Sequence, residues 1–373
     1  MTRALVLSLA LGAVAAGVRP ISAAGGWQLV PAMYVFGDST LDVGNNNYLT
    51  GNDVPRADRP YYGVDFPGSK PTGRFSNGYN SADFVAKTLG FKRSPPAYLK
   101  LKAHNKLIPT ALVRGVSYAS AGAGILDTTN AGAVVPLSKQ VRYFASTKAA
   151  MVAMVGPLLA SHLVSRSFFL VGVGGNDMFA FARAGAAAGR RRCLLQQPHL
   201  QLLRHHHELY KLGARKIGII NLPPVGCVPR VRVLSPTGNC SDSMNRLAAE
   251  FNGALKSLLA GLAPKLPGLA YSLADSYSLT EVTFDDPAAA GFDNLDSACC
   301  GGGRLGAQGA CEAGAPLCAD RDGYFFWDSV HTTQHVARLG AEAYYNGPAQ
   351  FTSPINFKRL ALKLFARRMD YDA

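Results

Sequence analysis

The sequence predicts an α/β fold, a three-layer α/β/α sandwich built on a mostly parallel sheet. Two observations lead there. Short apolar runs bounded by turn residues alternate with longer segments whose apolar positions recur every three or four residues. The residues best suited to chemistry fall just after those runs or in loops, and open parallel sheets bind ligands at the carboxyl ends of their strands.

The elements follow in order. Residues 32–36 form the first strand. Asn80 or Ser81 caps a helix that places Phe84, Val85 and Leu89 on one face. Residues 113–119 are a second strand, ending in the small-residue turn Ser120-Ala121-Gly122-Ala123-Gly124. Residues 137–163 are mostly helical and interrupted at Pro157. A buried strand over 168–173 runs into Gly174-Gly175-Asn176-Asp177. Residues 216–222 form the next strand, and a long helix then sets Met244, Leu247, Phe251, Leu255, Leu258 and Leu262 at helical spacing. Residues 269–273 are a late strand, 285–322 a Gly- and Cys-rich stapled loop without periodicity, and 333–345 a helix closed by Gly347 and Pro348. With no internal repeat and no flexible linker, one domain over 27–361 is expected, followed by a basic tail over 362–373.

The chain has 373 residues, 48% of them hydrophobic and 17% charged, enough for a large core. A basic start, an apolar run over 4–18 and small residues up to Ala24 describe a secretory signal peptide over 1–24. That run is shorter than the roughly 20 residues needed to span a bilayer. Pro157 and His162 break the later apolar run over 149–164, so no transmembrane segment is expected. Export suits the seven cysteines, which favour disulfides over zinc because no Cys-x-x-Cys pair is present. Neighbours Cys299 and Cys300 are expected to take different partners. Asn239-Cys240-Ser241 is an N-glycosylation sequon, with Asn239 the acceptor. The net charge of +14 favours anionic surfaces such as acidic cell-wall polysaccharide or lipid headgroups. The basic residues are dispersed and carry no nucleic-acid-binding signature, so no nucleic acid partner is expected.

Ser39 follows the first strand, and Asp328 and His331 stand three apart in a loop before the last long helix. A serine hydroxyl becomes a useful nucleophile when a histidine takes its proton and a carboxylate holds that histidine's tautomer. Each group also has a plainer reading: Ser39 as a helix-capping turn residue, Asp328 as a backbone cap, His331 as a surface side chain. Ser117 competes as nucleophile in Gly115-Val116-Ser117-Tyr118-Ala119, yet it lies within a strand and lacks the closing glycine of a Gly-x-Ser-x-Gly elbow. His205-His206-His207 cannot converge on a metal from one helix, because adjacent side chains diverge by about 100°. No metal or cofactor is expected.

Several ordered blocks resemble the plant-type GDSL esterase/lipases of the SGNH hydrolase superfamily, which have a flavodoxin-like sheet. They are Phe36-Gly37-Asp38-Ser39 with Asp42-Val43-Gly44-Asn45-Asn46, Gly73-Arg74-Phe75-Ser76-Asn77-Gly78, the turn over 118–125, Gly174-Gly175-Asn176-Asp177, Ala298-Cys299-Cys300-Gly301 and Phe326-Trp327-Asp328-Ser329-Val330-His331. The resemblance implies Ser39 as nucleophile, His331 as general base and Asp328 as its orienting partner. It also implies an oxyanion hole from the Ser39 and Gly122 backbone N–H groups and the Asn176 side chain, with Gly124 the alternative to Gly122. Thr40 departs from the leucine of the family name, and residues 185–207 are shorter and more basic than the pattern. The implied function is a secreted, extracellular carboxylic-ester hydrolase acting on lipid or acylated cell-wall polysaccharide through an acyl-serine. Acyl transfer by the same residues, or a catalytically silent basic binding protein, are the other readings.

Overall fold

The computed structural model describes residues 28–184 and 188–364, without the side chains of 188–196. The leader over 1–24, all of the tail beyond residue 364, and the Cys193 side chain lie outside the described residues.

Eight strands occur among them: β1 (Met33–Gly37), β2 (Gly115–Ser117), β3 (Phe168–Gly172), β4 (Lys216–Ile220), β5 (Ala270–Ala274), β6 (Asn294–Ala298), β7 (Tyr324–Phe326) and β8 (Thr352–Ser353). The main sheet has the order β2-β1-β3-β4-β5-β8, parallel except for β8. β6 and β7 form a separate parallel pair.

The helices used below are α1 (Ser81–Thr88), α2 (Leu137–Val155), α3 (Gly175–Arg183), α4 (Ala188–Lys211), α5 (Asp242–Leu262), α6 (Ser276–Asp285), α7 (Gln334–Asn346) and α8 (Phe357–Leu362). Alternate strand residues point to opposite faces, and both faces are covered. Tyr34, Phe36, Phe169, Val171, Ile217 and Ile219 pack against α2, α4 and α5. Met33, Val35, Phe168 and Leu170 pack against α1, α7 and α8. This is the expected three-layer sandwich. Its first face centres on aromatic rings, with Tyr34 5.0 Å from Phe144 and Phe144 5.2 Å from Phe169. Each such ring contributes about 1.5–3 kcal/mol of burial.

Asn80 caps α1 in a full capping box with Asp83, and the helix over 137–163 divides at Gly156 and Pro157 into α2 and Pro157–Arg166. Two expectations change. The second strand is only Gly115–Ser117, because a preceding helix runs through Val113. The loop over 285–322 contains β6, whose polar residues show no strand pattern until β7 pairs with them. Residues 188–211 are one helix despite Pro198.

The strand order reverses between β1 and β3. Their continuations leave the same edge in different directions and open a crevice there, where sheets of this order take ligands.

Candidate active site

Gly37 ends β1 directly beside Gly172, which ends β3. A Cβ at 37 would lie 2.2 Å from the Gly172 carbonyl oxygen, so only glycine lets the two strand ends come this close. The Asp38 N–H then donates to that carbonyl at 3.2 Å, and Ser39 emerges over the crevice.

The Ser39 loop is fastened by buried polar side chains. Asp42 accepts from the N–H groups of Gly44, Asn45 and Ala121 at 2.7–3.0 Å. Asn45 donates to the carbonyls of Ser117 and Ala119, and Asn46 to those of Pro55 and Ala121. The Asp-x-Gly-Asn-Asn block therefore ties the turn after β1 to the turn after β2. Gln140 of α2 holds the backbone of Gly37 from both sides, accepting its N–H and donating to its carbonyl, each at 2.8 Å. Gln140 was legible only as a polar residue on the apolar stripe of Leu137, Val141 and Phe144.

His331 reaches Ser39 across 292 residues of sequence, with Nε2 at 2.8 Å from the serine Oγ. Its Nδ1 lies 2.8 and 2.9 Å from the two oxygens of Asp328. Asp328 also accepts from the N–H groups of Val330 and His331, and from the Tyr62 hydroxyl at 2.8 Å. Burial would raise the Asp328 pKa, but the adjacent imidazole and these donors outweigh it and hold the carboxyl below its ordinary value. An ionised Asp328 places the imidazole proton on Nδ1 and leaves Nε2 to accept from Ser39. Burial, then the charge of Asp328, pushes the Tyr62 hydroxyl up, so it stays a donor. The Phe75 ring lies 4.7 Å from His331 and 5.6 Å from Tyr62. Neither Tyr62 nor Gln140 was named from sequence, and no local pattern marks Tyr62.

Asn176 opens α3 after β3. One of its amide hydrogens goes to the Ala123 carbonyl at 3.0 Å, leaving the second for another acceptor. The next residue, Asp177, faces the protein and accepts from Ile125, Leu126 and Thr129. Asn176 and Gly122 both line the cavity beside Ser39, whereas Gly124 packs against Asp177 and Thr129. No protein acceptor among the described residues takes the backbone N–H of Ser39 or Gly122. Ser117, the competing nucleophile, is fully buried in β2, and its hydroxyl has no hydrogen-bond partner among the described residues.

Three disulfides, Cys227–Cys240, Cys299–Cys318 and Cys300–Cys311, give Cys299 and Cys300 separate partners as expected. Asn239 is exposed beside the first of them. Among the described residues no cluster of three metal-ligating side chains is present, and no helix is long and apolar enough to cross a membrane.

A hydroxyl, an imidazole and a carboxylate linked in that order, over the carboxyl ends of an open parallel sheet, form the arrangement that serine hydrolases use. The family model for GDSL-like lipases and acylhydrolases matches residues 33–343. Among proteins of Arabidopsis thaliana, GDSL esterase/lipase At5g55050 is 36% identical over 343 residues, covering 89% of this chain and 90% of that protein. GDSL esterase/lipase At5g37690 is 35% identical over 356 residues, covering 94% and 98%. The chain belongs to the GDSL-like lipase/acylhydrolase family and is by class a carboxylic ester hydrolase.

Proposed function

We propose that the protein is a secreted esterase cleaving lipid or acylated cell-wall esters through an acyl-serine, with Ser39, His331 and Asp328 as its catalytic residues. The observation that carries this is the unbroken chain from the Ser39 Oγ through His331 to Asp328. As Ser39 Oγ attacks the ester carbonyl carbon, its proton passes to His331 Nε2 and Asp328 stabilises the imidazolium. The carbonyl oxygen, now an oxyanion, takes hydrogen bonds from the Ser39 and Gly122 N–H groups and the free Asn176 amide hydrogen. Each preorganised donor of this kind is worth about 3 kcal/mol. The C–O bond breaks, the alcohol leaves with the proton from His331, and water repeats the sequence to release the acid. The leader over 1–24, the three disulfides and the exposed sequon at Asn239 support export and glycosylation.

Labelling with a fluorophosphonate probe tests the assignment. The wild type should label and Ser39→Ala should not, with its ester hydrolysis reduced about 10⁴-fold or more. Equal labelling of both proteins would show that the nucleophile lies elsewhere.

A further inference from the structure

We infer that the crevice binds a long hydrocarbon acyl chain along its β4–β5 end, so that the substrate is a fatty acyl ester and not an acetylated polysaccharide. The inference rests on the assignment of Ser39 as nucleophile.

The cavity holding Ser39 and His331 has a volume of about 1420 Å³, above the roughly 300–1,000 Å³ of ordinary small-molecule sites. Its two ends differ because different strands feed them. On the β2 side the lining is mixed, with Asp53, Asn130 and Gly132 beside Val54 and Pro55. On the β4 and β5 side it comes from Phe179, Leu222, Val228, Phe284 and Phe325. Most of this second wall belongs to one apolar cluster, separate from the two cores that flank the sheet. Thr280 and Thr283 also face this end, yet both hydroxyls donate to carbonyls of their own helix at 2.8 Å. Arg183 and Arg230 also line the cavity, and both are exposed to solvent, so the buried part of that wall offers a ligand mainly apolar surface.

The wall starts at the chemistry. Phe179 is three residues after Asn176 on α3, so it shares a helix face with the amide that would hold the oxyanion. At the outer edge Leu234 lines the cavity while 80% exposed, an apolar lead-in from solvent. An acetyl group would fill almost none of this space. Each methylene that replaces water against it strengthens binding by up to about fourfold.

The test is a series of p-nitrophenyl esters from acetate to palmitate on the full secreted protein, with Ser39→Ala as control. kcat/KM should climb by at least about 100-fold from acetate to decanoate, given a gain of two- to fourfold per methylene. Val336→Trp, which places an indole in the apolar end from α7, should move the optimum to shorter chains. Titration of laurate into the Ser39→Ala protein should show binding that Val336→Trp weakens at least tenfold, a readout independent of turnover. Ser39-dependent hydrolysis that is flat or falling with chain length overturns the acyl-chain site and leaves the catalytic assignment standing. Hydrolysis that persists in Ser39→Ala overturns the assignment, and absent laurate binding overturns the site on its own.

Discussion

The two halves of the active site are held by different means. The Ser39 half is locked by hydrogen bonds: Asp42, Asn45, Asn46 and Gln140 fasten the turns after β1 and β2 to each other and to α2. The His331 half hangs outside the main sheet on the two-stranded β6–β7 pair. Two disulfides brace it, and the Cys299 and Cys300 N–H groups donate to the carbonyls of Phe326 and Trp327. Tyr62 bridges the halves at the site itself, reaching Asp328 from the loop after β1. The proposed nucleophile is set by the sheet and should be positioned wherever the sheet folds. The proposed base is braced by cross-links and should depend on their formation.

The largest expected effect probes the cross-linked half. Replacing Cys300 and Cys311 by serine opens a loop with a sequence separation of 11 and should cost about 3 kcal/mol. Thermal unfolding followed by calorimetry measures this, and fluorophosphonate labelling should weaken at temperatures where the main sheet is still folded. An unchanged melting temperature would erase the proposed difference between the halves.

The second effect is electrostatic, and its sign differs between them. Burial pushes Asp38, beside the nucleophile, up to about 6, against donation from Thr40 and the nearby His331. Between the unfolded value of about 3.9 and that folded value the native state keeps a proton that the unfolded chain has lost. Stability from Asp38 is therefore present at low pH and lost as pH rises through this window. Asp328 is shifted the other way, so its contribution is complete above about pH 4 and lost only as pH falls through its lower folded value. Asp38→Asn keeps the acceptor for Thr40 but cannot ionise. Its melting temperature relative to wild type should be higher at pH 7 than at pH 4, and an equal offset at both would refute the shift.

The smallest effect concerns the bridge. Tyr62→Phe removes one of the donors to Asp328 and should lower kcat about tenfold, the lower end of the roughly 1.5–3 kcal/mol worth of one hydrogen bond to a charged group. Without that donor Asp328 attracts the imidazole proton more strongly, so the acid limb of the pH–rate profile should move up. A fall in kcat with no movement of that limb would mean that Tyr62 only fills space.

Much of this was legible in the sequence. β1, β3, β4 and β5 are buried on both faces, so they read as short continuous apolar runs without needing any partner. Ser39, Asp328, His331 and Asn176 were named because each sits in a distinctive block, and the fold brings Ser39, His331 and Asn176 to one cavity with Asp328 buried behind His331. What stayed hidden is defined by pairing. Residues 294–298 are polar and become β6 only against β7, whose three aromatic residues read as part of a loop. Tyr62 meets Asp328 across 266 residues, and Gln140 meets Gly37 across 103, separations that no local pattern encodes.

The meeting of Gly37 and Gly172 has a consequence for how this chain tolerates change. The two glycines face each other at the crevice floor, yet they are not equivalent. A methyl at 37 strikes the Gly172 carbonyl, a rigid backbone atom, whereas one at 172 meets the end of the Leu41 side chain at 3.0 Å, which can turn aside. The floor thus has one fixed tile and one replaceable one. Room for a side chain beneath Ser39 is confined to the strand that leads to Asn176, while the strand that leads to the serine has no freedom at its last position.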